Sequence, residues 1–180
     1  MIRSRGFTIV ELLIVIVVIA ILAAITIVAY TGIQERARVS GFTDAVRKVE
    51  KAFQLKATAD ERSTYWREQD LLGTGNPNVS DVIAGTDLSN YLQVVPEVSG
   101  MSGLRWVYDN DGDSYGGCSA SAVGVNLIIY NVNQYLSVMQ ELDNTLDDGN
   151  LACGKIRHSA SDDGGNGAIF YQLGGAGGSI

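Results

Sequence analysis

A long apolar segment near the N-terminus constrains this 180-residue chain more than any other feature. It runs from Leu12 to Ala29, is interrupted only by Thr26, and follows a single carboxylate at Glu11. A helix over these residues is about 27 Å long at about 1.5 Å per residue, close to the bilayer hydrocarbon thickness of about 30 Å. The sequence therefore predicts a membrane-spanning helix. The basic residues ahead of it argue against the alternative, the core helix of a soluble domain.

The residues before this segment form a short basic leader that ends in glycine. Arg3 and Arg5 precede Gly6, and the apolar segment comes after them. In a secretory signal the cleavage site follows the apolar region. Cleavage after Gly6 would instead leave the apolar segment on the mature protein.

The charge of Glu11 is energetically unfavourable at the edge of an apolar segment. A carboxylate in hydrocarbon costs on the order of 2.5–3.5 kcal/mol even on lenient insertion scales. We therefore expect Glu11 to have a partner or a function, the alternative being that it lies at the interface and faces lipid headgroups. In a chain that begins at Phe7, Glu11 is close enough to the N-terminus for a free amine of another copy to pair with it.

The N-terminal sequence resembles that of the type IV pilin and type II secretion pseudopilin family. Arg5-Gly6, then Phe7-Thr-Ile-Val-Glu11 and the apolar residues after them carry the resemblance, which extends over roughly residues 1–58. It implies that a prepilin peptidase cuts after Gly6 and that Phe7 is N-methylated. It also implies polymerisation through the N-terminal helix, with Glu11 neutralising the terminal ammonium of Phe7 on a neighbouring subunit.

After the apolar segment the pattern becomes apolar on one side only. Four large apolar residues recur at spacings of four, three and four, as on one face of a helix: Phe42, Val46, Val49 and Phe53. We expect one helix over residues 7–58, with a membrane or filament-core half at 7–29 and an amphipathic half at 30–58. The leader takes residues 1–6 and a globular head residues 59–180. The predicted fold is α+β, with the helix packed on a small antiparallel sheet.

The head contains patterns for several further elements. Turn residues in 59–100 predict a connecting segment with little regular structure, and apolar residues at helical spacing predict a helix at 134–146. Runs of β-branched and aromatic residues predict four strands, at residues 104–108, 123–132, 152–157 and 168–172.

Two cysteines, Cys118 and Cys153, lie in the predicted head. An isolated pair in an exported domain is most often a disulfide, and the alternative is two unrelated buried thiols. Closing a loop of about 35 residues would stabilise the head by roughly 3–4 kcal/mol in the chain-entropy model. The family resemblance also implies a bridge of this kind in the C-terminal region.

Charge is distributed unevenly along the chain, whose formal net charge is −7. Residues 7–58 carry six basic and four acidic side chains, whereas residues 59–180 carry five basic and sixteen acidic ones. An acidic head suits solubility and cation binding, and it argues against generic nucleic-acid binding, which needs clustered Lys and Arg.

An acidic motif follows the first predicted strand of the head. Asp109, Asp111 and Asp113 alternate along the chain, and Tyr115 stands two residues further on. An EF-hand loop begins in this way, with carboxylates at positions 1, 3 and 5 and a backbone carbonyl at position 7 that binds calcium. Tyr115 would supply that carbonyl, so the motif predicts calcium as an optional ligand.

The match to a calcium loop is partial. Ser114 and Ala120 stand where the loop expects a glycine and a bidentate glutamate. A remote carboxylate would have to complete the shell, such as Asp147, Asp148 or Asp162. An acidic turn held by Asx turns is an equally consistent interpretation. Some major pseudopilins bind calcium in the head, so the resemblance adds a little weight to calcium.

No pattern in the chain predicts an enzyme or a required cofactor. His158 is the only histidine and is expected at the surface beside Arg157. The glycine-rich C-terminus lacks the lysine of a phosphate-binding loop.

Three functions follow from these observations. The leading one is a structural pilin of a type IV pilus, for adhesion, motility or DNA uptake. The alternatives are a pseudopilin of a type II secretion system and a membrane-anchored binding domain that never polymerises. The expected partners are other copies, prepilin peptidase, an inner-membrane platform protein with its assembly ATPase, minor pilins and, before assembly, the bilayer. We expect the head outside a single-pass inner-membrane anchor, and then in an extracellular filament or a pseudopilus.

Overall fold

A computed structural model describes residues 6–73, 75–110 and 124–174. The chain forms two compact units, Met1–Ala37 and Arg38–Ile180. Helix α1, Ile9–Ala59, is 51 residues long and contributes to both units. The predicted helix is confirmed, with its start two residues later and its end one residue later than expected.

In the first unit α1 has no buried face among the described residues. Every large apolar side chain from Phe7 to Ile33 is 48–79 % exposed. A soluble amphipathic helix has a polar face, which the stretch from Leu12 to Ala29 lacks. This surface therefore requires an apolar environment that the described residues do not provide.

In the second unit α1 packs its predicted stripe into the core. Phe42, Val46, Val49 and Phe53 are all completely buried. The Phe53 ring stacks on the Tyr108 ring at a centroid distance of 4.9 Å, and a tilted pair at 5.7 Å joins Phe42 and Trp106. The amphipathic half of the helix is thereby fixed to the sheet by aromatic contacts.

In the described part of the chain, the sheet has four antiparallel strands in the order β1-β2-β4-β3. These strands are β1 Arg105–Asp109, β2 Asn126–Tyr130, β3 Ile156–Ser159 and β4 Ala168–Gln172. Alternate residues face the α1 stripe, as the register that pairs Trp106 with Ile129 and Ile129 with Ile169 requires. The other face carries a smaller buried cluster around Ile128 and Phe170. The predicted α+β arrangement is confirmed.

The described residues contain four further helices: α2 Glu68–Leu72, α3 Val79–Gly85, α4 Leu136–Leu146 and α5 Asp162–Gly165. Short 3₁₀ helices occupy Asp87–Asn90 and Asn133–Tyr135. Residues 59–100 are thus more helical than predicted. The turn residues stand between or at the ends of short helices, and Val79, Val82 and Leu88 of those helices are completely buried.

The largest deviation among the strands is at β3, which begins at Ile156 and not at residue 152. Residues 151–155 form turns, and Gly154 has a φ of +92°, a left-handed conformation that an extended strand does not adopt. The predicted β4 has the observed bounds.

His158, expected at the surface, is only partly exposed, and Arg157 beside it is buried. Arg157 is 2 % exposed, and its guanidinium donates to the Gly154 carbonyl at 2.7 Å and to Asn126 Oδ1 at 3.0 Å. His158 is half-buried, with Nε2 2.9 Å from Asn133 Oδ1. Burial lowers the pKa of the His158 imidazole.

Candidate assembly site at the N-terminus

Helix α1 begins with a reciprocal set of hydrogen bonds between Thr8 and Glu11. The Thr8 backbone N–H and hydroxyl both donate to Glu11 Oε2, at 2.8 and 2.7 Å. The Glu11 backbone N–H donates to Thr8 Oγ1 at 3.2 Å. This is a capping box, in which a Thr and a Glu three residues apart satisfy amide groups that the first helical turn leaves unpaired.

The capping box gives Glu11 a role within its own chain. The carboxylate lies at the positive end of the helix dipole, where a negative charge is favourable. Both side-chain bonds end on Oε2, so the second oxygen remains for a cation from outside the chain. Sequence analysis missed Thr8, although the Thr-x-x-Glu spacing ahead of the apolar segment is a recognisable sign of a capping box.

The predicted cleavage site lies before the first turn of α1. Gly6 and Phe7 are exposed and outside regular structure. A Cβ added at Gly6 would meet no atom within 4 Å. Packing within the described residues therefore gives no reason for a glycine at this position.

Among the described residues, α1 is the one helix long and apolar enough to cross a membrane, judged by length and composition. None of its most apolar 18-residue window is buried inside the chain.

Residues 1–27 match the family model for the prokaryotic N-terminal methylation motif. The N-terminus is that of a type IV pilin or pseudopilin. The motif implies processing by prepilin peptidase and polymerisation in general, and with the apolar helix it fits a membrane-anchored pilin that later enters a filament. Comparisons with curated proteins and with solved structures found no match.

Four of the other predicted site residues lie outside the described residues: Cys118, Asp111, Asp113 and Tyr115. Cys153 is half-buried in the turn before β3. Asp109 ends β1, is 1 % exposed and pairs in register with Asn126. The disulfide and the calcium loop at 109–115 therefore stay predictions.

Two of the remote carboxylates considered for that loop lie beside a third carboxylate that sequence analysis did not name. Asp147 and Asp148 lie beside Asp143, and one carboxylate oxygen of each lies within 4.8 Å of the others. Asp162, the other remote carboxylate considered, is the first residue of α5 and is not in this cluster. Sequence analysis missed Asp143, although its spacing of four and five residues from the other two places it one helical turn before them.

Proposed function

We propose that this chain is a structural subunit of a type IV pilus. Cleavage after Gly6 and methylation of Phe7 produce the mature subunit, which polymerises through the N-terminal half of α1. The observation that carries the proposal is the exposed apolar surface of that half, preceded by one capped carboxylate. The role is structural and needs neither catalysis nor a cofactor.

The exposed surface explains why one helix serves two environments. Burying a Leu, Ile or Val side chain contributes about 1.5–3 kcal/mol, so this segment does not stay in water. Lipid before assembly and the helices of other copies after it are both apolar. Transfer of the segment from lipid to the filament therefore changes the hydrophobic free energy little. Side-chain packing and polar pairs between copies must decide whether the membrane or the filament is favoured.

Glu11 supplies such a polar pair in the proposed filament. The ammonium of a cleaved Phe7 on one copy and the Glu11 carboxylate on another are both costly in an apolar surrounding when unpaired. Their pairing removes both penalties, and it forms only when two copies meet in the correct register. The proposed partners are accordingly other copies, prepilin peptidase, the platform protein with its assembly ATPase, and minor pilins.

A pseudopilin of a type II secretion system is the second candidate. The same N-terminal chemistry serves it, and the acidic head, with its cluster at Asp143, Asp147 and Asp148, is the observation that favours it. A membrane-anchored binding domain that never polymerises is the third candidate.

The mass of the native protein and of its N-terminal peptide, from membranes and from sheared surface filaments, tests the proposal. We expect a chain that begins at methylated Phe7 and is abundant in the sheared fraction. The same processed chain confined to membranes would favour the pseudopilin, whereas a chain beginning at Met1 would contradict both.

A Gly6→Val variant is the matched control for processing. Because a Cβ at Gly6 contacts nothing within 4 Å, the substitution leaves the described structure undisturbed. We expect this variant to accumulate in membranes as the uncleaved chain.

A further inference from the structure

Three carboxylates meet where α4 ends and the chain turns towards β3. Asp143 lies in the last turn of α4, and Asp147 and Asp148 follow the helix directly. One oxygen from each lies within 4.8 Å of the other two. The end of α4 adds the partial negative charge of its terminal carbonyl groups, which favours a cation there.

Four buried side-chain atoms of the described structure have no hydrogen-bond partner: two are the carboxylate oxygens of Asp143, and the others are the Tyr65 hydroxyl and Arg157 Nε. The Asp143 side chain is completely buried, and neither carboxylate oxygen has a hydrogen-bond partner among the described residues. Burial, with the charges of Asp147 and Asp148, raises the pKa of Asp143 to about 6. Buried polar atoms are nearly always satisfied in folded proteins, so two orphan oxygens on one side chain indicate a missing ligand.

The two other carboxylates are held in place by backbone groups. Asp147 Oδ2 accepts from the Ile156 N–H at 2.8 Å, and Asp148 Oδ1 accepts from the Asn150 N–H at 2.9 Å. A side chain at Gly154 would collide with the Asp147 carboxylate, so the glycine leaves room for it. Each of these aspartates keeps a second oxygen for a ligand.

The nearby cation, Arg157, bonds elsewhere through its two terminal nitrogens, and its buried Nε has no hydrogen-bond partner among the described residues. Burial lowers the pKa of the Arg157 guanidinium, and the negative charge of Asp147 offsets only part of this effect. The two terminal nitrogens of Arg157 donate to the Gly154 carbonyl and to Asn126 Oδ1. Arg157 therefore makes no hydrogen bond or ion pair with Asp143 among the described residues.

We propose that Asp143, Asp147 and Asp148 bind one calcium ion, at a site separate from the acidic motif at 109–115. Calcium takes six to eight oxygen ligands at about 2.3–2.6 Å in irregular geometry, so one ion reaches three oxygens that lie this close together. Bidentate carboxylates and waters complete such a shell. Magnesium demands a near-ideal octahedron and gives up its waters reluctantly, which suits a buried carboxylate less well.

The ion would join the end of α4 to the turn that carries Cys153 and leads into β3. Under the proposed function the head lies outside the cell, where calcium is plentiful and a dissociation constant of about 10⁻⁴–10⁻³ M suffices. The binding itself does not depend on filament assembly, so it is measured on unassembled chains.

Calorimetric titration of the EDTA-treated full chain in detergent micelles with CaCl₂ tests the site, together with thermal unfolding followed by tryptophan fluorescence. At a hundredfold excess over the dissociation constant, we expect the unfolding midpoint to rise by about 5–10 °C. Asp148→Asn should weaken binding at least tenfold. Asp148 is exposed and an amide oxygen still accepts the Asn150 N–H, so this variant should fold.

Two control variants each remove one carboxylate charge, as Asp148→Asn does, but at positions outside the proposed site. Asp44→Asn, on an exposed position of α1, and Asp113→Asn, in the acidic motif, should both keep the calcium response. No response of the natural chain at millimolar calcium would overturn the proposal. So would an unchanged response in Asp148→Asn, or a response lost in Asp113→Asn alone.

Discussion

At the scale of single residues, Glu11 takes part in two interactions that one substitution separates. Within the chain it closes the capping box with Thr8, and in the proposed filament it pairs with the ammonium of another copy. A glutamine at this position retains the capping box, because its amide oxygen accepts the same bonds, but it carries no charge. The capping box therefore does not depend on the charge of residue 11, whereas pairing with the ammonium of another copy does.

We predict that Glu11→Gln abolishes filament assembly while leaving the start of α1 intact. Sheared-filament yield measures the first effect, and amide hydrogen exchange of Val10 and Glu11 in micelles measures the second. Glu11→Ala should lose both, with exchange about fivefold faster for a cap worth about 1 kcal/mol. Normal filaments from Glu11→Gln would contradict charge pairing, and normal filaments from Glu11→Ala would show that assembly does not need this residue at all.

The burial of a single residue can be predicted from the sequence when it follows from the spacing of neighbouring residues, and not when it depends on residues distant in sequence. The stripe at Phe42, Val46, Val49 and Phe53 was predictable, because helical spacing alone places these residues on one face. The burial of Arg157 was not, because its partner Asn126 comes from a strand 31 residues away in sequence. The burial of Asp143, like that of Arg157, depends on tertiary packing and so was not predictable from local spacing.

At the scale of elements, the packing of α1 on the sheet is tested by two positions close together on the same helix. Phe53 is completely buried and stacks on Tyr108, whereas Leu55 is 44 % exposed. We predict that Phe53→Ala lowers the free energy of unfolding of the head by about 3–5 kcal/mol. Leu55→Ala should change it by less than about 0.5 kcal/mol. Urea unfolding of the full chain in micelles, followed by tryptophan fluorescence, measures both, and equal losses would contradict the observed packing.

Elements were predictable where the local pattern and the tertiary environment agree. The residues of β4 have strong strand propensity and both faces of the strand are buried, so its bounds were correct. The early start predicted for β3 failed because Gly154 adopts a left-handed turn that apolar content does not reveal. Glycine and proline in residues 59–100 do not exclude helices, because Pro77 stands just before α3 and Gly85 at its end.

At the scale of the whole molecule, the chain joins an apolar anchor to an acidic head that must persist outside the membrane. Residues 59–180 carry a net charge of −11, and like charges destabilise a compact state by self-repulsion. A disulfide between Cys118 and Cys153 would offset this by restricting the unfolded head. The predicted stabilisation, roughly 3–4 kcal/mol for a loop of about 35 residues, is large beside the 5–15 kcal/mol typical of a whole domain.

We therefore predict that dithiothreitol lowers the unfolding midpoint of the full chain by about 6–16 °C, taking about 2–4 °C per kcal/mol. The measurement is thermal unfolding in micelles at fixed calcium, with and without the reductant. The double variant Cys118→Ser, Cys153→Ser should unfold at the lower midpoint in both conditions, because it has no bridge to lose. If the natural chain responds no more than this variant, or if its intact mass is not two hydrogens below that of the reduced chain, the two cysteines are separate thiols. The stability of the head must then come from the packing of α1 on the sheet.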